Sequence, residues 1–141
     1  MKKLLSTILL LVYVNFLLIS CSKDDKVSDI DTIEVKYKFS SSQMQDTYIG
    51  YRKIGDKEYT EEPYSDRMIY GISDRGRIGD VVSLYIKADP RFMNQNKMYV
   101  TIGDANMKKE VKGKQGESEI KLEYTLTQED LEYYRWYVGN K

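Results

Sequence analysis

Ile33-Glu34-Val35-Lys36-Tyr37-Lys38-Phe39 alternates strictly between apolar and charged residues. Successive side chains of a β-strand point to opposite faces of its sheet, so the apolar residues share one face and the charged residues share the other. Residues 32–40 are therefore predicted to form a strand with one face in a hydrophobic core. Such a strand favours a domain built from antiparallel sheets, which commonly face water on one side.

Other segments of the chain have the same character. Residues 81–88 form the clearest of them: their apolar residues are predicted to face inward, and Ser83 and Tyr85 are predicted to face outward. Gly, Asp, Asn and Pro separate the segments, as is typical of turns. Further strands are predicted at residues 47–54, 57–62, 67–73, 97–103, 107–112 and 118–126.

The connections between these segments are short and polar. Asp74-Arg75-Gly76-Arg77 is predicted to be a turn, and Asn94-Gln95-Asn96 is predicted to be the polar tip of a loop. About seven strands separated by turns predict an all-β fold, a small antiparallel immunoglobulin-like β-sandwich over residues 32–126. A small closed barrel is the alternative.

Residues 127–141 have a different pattern, that of a short C-terminal helix. Thr127 is typical of an N-cap, and acidic residues follow it in the first turn. Gly139 fits a C-terminal cap. A strand over residues 133–138 is the alternative, because aromatic residues favour sheets. The residues expected to share the inward face of the helix are Leu131, Tyr134 and Val138.

The first 20 residues have the composition of a secretory leader. Met1-Lys2-Lys3 is basic, and the apolar run from Leu4 to Ile19 is shorter than the roughly 20 residues that span a bilayer. A basic start, a short apolar run and a small residue at its end predict a cleaved signal peptide over residues 1–20. An uncleaved membrane anchor is the alternative.

Leu18-Ile19-Ser20-Cys21 ends the leader and resembles the bacterial lipobox. The resemblance implies that the Cys21 sulfur receives a diacylglycerol, that the leader is cut before Cys21, and that the new amine is acylated, for example with palmitate. Two or more acyl chains anchor a protein stably in a membrane. Cys21 is the only cysteine, so the chain forms no intramolecular disulfide. A lone cysteine beside an ordinary cleavage site is the alternative.

Ser22-Lys23-Asp24-Asp25 follows the cysteine and is similar to the charged tetrad of Bacteroidota surface lipoproteins, where it acts as an export signal. The similarity implies a protein that is lipid-anchored in the outer membrane and faces the cell exterior. The alternative is a merely polar start to a tether. Residues 21–31 are predicted to form that tether, lipidated and flexible, between the membrane and the sandwich.

The composition excludes several classes of function. The chain has 22 basic and 22 acidic residues and no histidine. A balanced charge argues against a nucleic-acid partner, which requires a basic patch. Histidine is the commonest general base and the commonest metal ligand. No catalytic residue, metal or cofactor is therefore predicted, and the protein is not expected to be an enzyme.

The order of the strands is carried by the segments Ile33-Glu34-Val35-Lys36-Tyr37, Tyr48-Ile49-Gly50-Tyr51, Gly79-Asp80-Val81-Val82-Ser83-Leu84 and Tyr99-Val100-Thr101-Ile102-Gly103-Asp104. This order resembles the small immunoglobulin-like sandwiches of Bacteroidota lipoproteins and of the mycobacterial small membrane proteins that assist lipid transporters. The resemblance implies a non-catalytic binding or accessory module in the cell envelope.

The C-terminal tail contains the candidate binding residues. Aromatic side chains with an arginine are enriched at the energetic centres of interfaces, so Tyr133, Arg135, Trp136 and Tyr137 are predicted to contact a partner protein or an envelope glycan. The alternative interpretation is structural, with Tyr134 and Val138 docking the helix on the sandwich and the other residues covering it.

An inhibitor of lysozyme-like or protease-like host enzymes is the alternative function. Such a protein inserts one loop into an active site. The two candidate loops in this chain are Asn94-Gln95-Asn96 and Asp74-Arg75-Gly76-Arg77.

Overall fold

A computed structural model describes residues 29–42, 45–65, 70–104 and 106–141 of the chain. The predicted signal peptide, the lipidation at Cys21 and the export tetrad at residues 22–25 lie outside the described residues, as does the start of the strand predicted at 67–73. These predictions therefore stay predictions.

The described residues form eight strands and one α-helix. A short 3₁₀ turn at Met93–Gln95 precedes the sixth strand. The elements are β1 (Ile33–Ser41), β2 (Tyr48–Arg52), β3 (Thr60–Pro63), β4 (Tyr70–Gly76), β5 (Val81–Lys87), β6 (Asn96–Ile102), β7 (Asn106–Lys112), β8 (Glu119–Thr125) and α1 (Gln128–Gly139).

The strands form two four-stranded antiparallel sheets, sheet A in the order β4-β1-β6-β7 and sheet B in the order β3-β2-β5-β8. Among the described strands, only β2–β3 and β6–β7 are both consecutive and paired, and every other connection passes between the sheets. The prediction of an antiparallel β-sandwich with a short C-terminal helix is confirmed, with eight strands rather than about seven.

β1 is a central strand of sheet A, and its alternation is explained by its neighbours. Ile33, Val35, Tyr37 and Phe39 are fully buried. They lie on the face that carries the apolar residues of β6, because Val35 pairs with Ile102 and the register continues from there. Each such side chain contributes about 1.5–3 kcal/mol when it is buried. Sheet B closes the core with Ile49, Val82, Leu84, Ile86, Ile120 and Leu122.

Ser83 and Tyr85 lie on the outer face of sheet B as predicted, but both are buried there rather than exposed to solvent. Gly50 is the strand partner of Tyr85 and has no side chain, so the tyrosine ring lies over it. Tyr59 covers the same ring, with its centroid 5.1 Å away. Local packing between two strands and a loop therefore excludes water from an outward position.

The turn predicted at residues 74–77 is also wrong, because Asp74, Arg75 and Gly76 belong to β4. The chain turns three residues later, where the Asp80 amide donates to the Arg77 carbonyl at 3.1 Å. Gly79 takes a φ of +91° in this turn, which favours glycine. One of the two loops suggested for an inhibitor is thus part of a strand.

The other loop is smaller than predicted. Asn96 does not lie at a polar tip but begins β6 and is buried. Its Nδ2 donates to the Phe92 carbonyl at 3.0 Å, which closes the 3₁₀ turn. Met93 is fully buried beneath that turn, so only Asn94 and Gln95 are exposed at the tip.

The helical prediction for the tail is confirmed, and a strand over residues 133–138 is not formed. Leu131 and Tyr134 are buried as expected, but the prediction that Val138 shares their inward face is wrong: Val138 is 37% exposed, like the rest of the chain after it, so the end of α1 is not buried on the sandwich. The predicted cap at Gly139 is wrong by one residue: Asn140 caps the helix, and its amide donates to the Trp136 carbonyl at 3.1 Å.

Candidate binding surface on helix α1

Helix α1 lies over one end of sheet A, where β1 begins, β6 ends and β7 begins. The Tyr134 hydroxyl lies 3.4 Å from a carboxylate oxygen of Glu34 in β1. The Tyr137 ring packs on Gly103, where a Cβ atom would stand 3.0 Å from Cε1 of the ring. Gly103 also has a φ of +61°, so glycine suits this position on two grounds.

The first turn of α1 is fixed by a buried carboxylate. Asp130 is fully buried, and its Oδ2 accepts hydrogen bonds from the Thr127 amide at 2.9 Å and from the Tyr124 hydroxyl at 2.8 Å. Lys108 Nζ lies 3.0 Å from the other oxygen. Burial raises the pKa of Asp130, but the Thr127, Tyr124 and Lys108 donors outweigh burial and hold that pKa below its usual value. This charged network sets the position of α1 on β7 and β8.

The outer side of α1 carries a layer of packed rings, here called the aromatic patch and defined as Tyr133, Trp136 and Tyr137. Their spacing of three and four residues places them side by side on a helix. The Tyr133 centroid lies 5.8 Å from that of Trp136 and 6.2 Å from that of Tyr137. Trp136 is 62% exposed, while the two tyrosines are half-buried. The patch thus presents one large exposed ring on an ordered support.

Charged groups border the aromatic patch. Lys108 Nζ lies 5.9 Å from the Tyr133 centroid, and Lys141 Nζ lies 4.7 Å from the Tyr137 centroid, both within cation–π range. The Tyr137 hydroxyl donates to Asp104, which also accepts from Lys36 and Lys141. The donors Lys36, Tyr137 and Lys141 hold the pKa of Asp104 well below its usual value. Tyr137 is therefore held in one orientation.

Arg135 does not join the aromatic patch. Its Nε donates to the Ile30 carbonyl at 2.9 Å, so this side chain holds the segment that precedes β1. The structure therefore brings together three of the four predicted binding residues and directs the fourth to the point where the chain enters the fold.

Sequence reasoning did not identify the charged neighbours of the patch. Lys108 and Asp104 come from the β6–β7 region, far from α1 in sequence, so no local pattern indicates their place. Lys141 lies beyond the end of α1, so helical spacing does not indicate its contact with the Tyr137 ring either.

A pocket lies at the end of sheet A opposite to the aromatic patch. An open pocket of about 280 Å³ is formed there where β1 and β7 end and β6 begins. Asn96 contributes its side chain, and its buried Oδ1 has no hydrogen-bond partner. The lining residues are Ser40, Asn94, Gln95, Asn96, Lys97 and Lys112.

The described residues contain no group of three or more acidic, cysteine or histidine side chains that could hold a metal ion. Over the same ranges, no helix combines the length and the apolar character that crossing a bilayer requires. No protein-family model, curated protein or solved structure matches the chain.

Proposed function

We propose that the protein is a lipid-anchored, non-catalytic binding module of the bacterial outer membrane, and that the aromatic patch is its contact surface. The observation that carries the proposal is the exposure of Trp136, 62%, on a support of packed tyrosines. An exposed tryptophan forfeits the stabilisation that burial would give it. Tryptophan and tyrosine are enriched where proteins bind their partners.

The proposed attachment point is Cys21. The lipobox-like Leu18-Ile19-Ser20-Cys21 supports lipidation, and the charged tetrad Ser22-Lys23-Asp24-Asp25 supports export to the cell surface. The likeness of the strand pattern to envelope lipoproteins supports an accessory role in the same compartment. The proposed partner is a component of that envelope. The balanced charge of the chain argues against a nucleic-acid partner.

The acidic groups next to α1 support a structural use rather than proton transfer. A general acid or base needs a pKa near the operating pH. The pKa values of Asp104 and Asp130 both lie below the usual range, because lysine and tyrosine donors surround the two carboxylates. Both groups stay charged and hold α1 in place.

The anchor is tested by fractionating cells that express the full chain. We expect the wild-type protein in the membrane fraction and the Cys21→Ala variant outside it. Protease added to intact cells should digest the wild type, and replacing Lys23, Asp24 and Asp25 with Ala should abolish that digestion. A Cys21→Ala protein that stays in the membrane would favour an uncleaved leader instead.

The contact surface is tested by footprinting with hydroxyl radicals. Trp136 should be modified more slowly in intact envelopes than in the purified protein, while Tyr59, which is 39% exposed on the loop before β3, should react equally in both. Equal modification of Trp136 in the two samples would contradict a contact at the aromatic patch.

A further inference from the structure

We propose that the aromatic patch lies against the lipid headgroups of the membrane that holds the anchor, so that α1 fixes the orientation of the domain on the bilayer. This inference rests on the proposed lipid anchor at Cys21. It names the partner of the aromatic patch as a lipid surface.

The first observation is where the chain enters the fold. Arg135 of α1 holds the Ile30 carbonyl at 2.9 Å, and the Ile30 side chain packs against the core. One residue later, Asp31 pairs with Arg77 at 3.1 Å. The segment that leads to Cys21 therefore leaves the domain directly beside α1.

The second observation is the length of that segment. Cys21 and Asp29 are 29 − 21 = 8 residues apart. Such a segment spans at most about 28 Å when it is extended. The end of the domain that carries α1 is thus held near the bilayer at a high effective concentration.

The third observation is that the aromatic patch and the pocket around Asn96 lie at opposite ends of the domain. β1 has nine residues and spans about 30 Å. The aromatic patch lies at its start, and the pocket around Asn96 lies at its end. When the patch contacts the membrane, that pocket and the loop at Asn94 and Gln95 face away from it, toward partners in solution.

The chemistry of the patch matches the headgroup layer. Tryptophan and tyrosine are enriched at membrane–water interfaces, because their rings are apolar and their N–H and O–H groups are polar. The exposed charges of α1 include Glu129 and Glu132 as well as the neighbouring Lys141, so the surface has no strong positive excess. The rings therefore supply the contact, and zwitterionic lipid is sufficient. A large glycan or protein would have to enter the narrow space between α1 and the bilayer.

Trp136 is the only tryptophan in the chain, so its fluorescence reports on the patch alone. The experiment uses the full lipidated protein in vesicles of phosphatidylethanolamine and phosphatidylcholine whose acyl chains carry bromine near the headgroup. We expect the Trp136 emission to shift to shorter wavelength and to be largely quenched by the brominated lipid, and to be protected from acrylamide in water. High salt should not reverse the quenching.

The matched control moves the tryptophan to the far end of sheet B. In the double variant Trp136→Phe, Tyr48→Trp, the new tryptophan replaces a side chain that is 44% exposed. This protein should float with vesicles equally well and show little quenching by the same lipid. If it does not fold, Trp136→Phe, Phe92→Trp gives a second control in the turn before β6, which also lies at the end away from α1.

The outcomes separate the two proposals. A wild-type protein that does not float with vesicles overturns the lipid anchor, and with it this inference. A protein that floats but whose Trp136 is quenched no more than the tryptophan at position 48 overturns the inference and leaves the anchor standing. Protection of Trp136 only after an envelope glycan or protein is added likewise overturns the headgroup contact.

Discussion

The Tyr37 hydroxyl donates a hydrogen bond of 2.7 Å to the Asp74 carboxylate, which ties β1 to its neighbour β4. The same carboxylate oxygen accepts a hydrogen bond of 2.7 Å from the Ile54 amide, so one side chain also holds the segment that follows β2. Tyr37 is fully buried, and burial together with Asp74 raises the pKa of Tyr37 far above its usual value. The phenol therefore remains a neutral donor in all ordinary conditions.

Replacing Tyr37 with Phe should lower the free energy of unfolding by about 1–3 kcal/mol, because it removes a donor from a partly buried carboxylate. Urea denaturation of the two proteins at pH 7 measures the difference. Tyr99→Phe is the control, since Tyr99 is a half-buried tyrosine on the outward side of β6. Equal losses in the two variants would show that the hydrogen bond to Asp74 does not contribute measurably to the free energy of unfolding.

Gly50 marks a second packing relationship that can be tested. A Cβ atom at this position would lie 2.0 Å from Cζ of Tyr85, so Gly50→Ala must displace the ring and its 2.6 Å bond to Glu61. We expect a loss of about 1–3 kcal/mol in the free energy of unfolding, which is typical of overpacking. Thermal denaturation followed by circular dichroism is the measurement.

Gly71→Ala is the matched control for Gly50→Ala. Gly71 also lies in a strand, but the nearest atom to an added Cβ is 3.9 Å away, so the alanine fits. Its effect should be neutral or slightly stabilising, because alanine restricts the unfolded chain. In addition, Tyr85→Ala should remove most of the cost of Gly50→Ala, since the clash is with that ring. Additive losses in the double variant would contradict this explanation.

Asp130 gives a prediction about pH. Its pKa in the folded protein lies below the ordinary value of 3.8, so the folded state favours the charged carboxylate. The stability that this provides is present above pH 3.8 and is lost as the pH falls through the folded-state pKa. Asp130→Asn should therefore cost about 1–3 kcal/mol at pH 7. The difference from wild type should shrink as the pH falls below 3.8.

Urea denaturation of both proteins at pH 7 and at pH 2.5 measures that dependence. The two pH values lie on either side of the ordinary pKa of an aspartate, about 3–4. Glu129→Gln is the control, because Glu129 is the neighbouring acidic residue and its side chain is 86% exposed. It should change stability little at either pH. A loss for Asp130→Asn that is the same at both pH values would indicate shape rather than charge as the cause.

The sequence was most informative where the structure depends on local periodicity. The alternation from Ile33 to Phe39 needs only the geometry of a strand, and the N-cap at Thr127 needs only the first turn of a helix. Both were predictable. Asp74 has the chemistry of a turn residue, yet its role is set by Tyr37 and Ile54, which lie far away in the sequence.

The candidate site divides in the same way. Tyr133, Trp136 and Tyr137 were predicted as binding residues from their chemistry, and helical spacing accounts for the layer that their rings form. The destination of Arg135 depends on Ile30, which is about a hundred residues earlier, and the ion pair of Lys108 depends on the register of β7. Such contacts require the tertiary fold, so the sequence pattern could place the aromatic residues but not the groups that border them.

Helix α1 has an exposed ring at Trp136 and a buried side chain at Leu131, and only the buried one is expected to hold the helix on the sandwich. Trp136→Ala should change the free energy of unfolding by only about 0.5 kcal/mol, because the side chain is 62% exposed and its removal leaves no cavity. Leu131→Ala should cost about 2–5 kcal/mol, since Leu131 is 6% exposed and part of the core. Thermal denaturation and urea denaturation of the purified variants provide the measurement. If Trp136→Ala destabilises the protein as much as Leu131→Ala, then the exposed ring serves folding, and the aromatic patch is not a surface kept for contact.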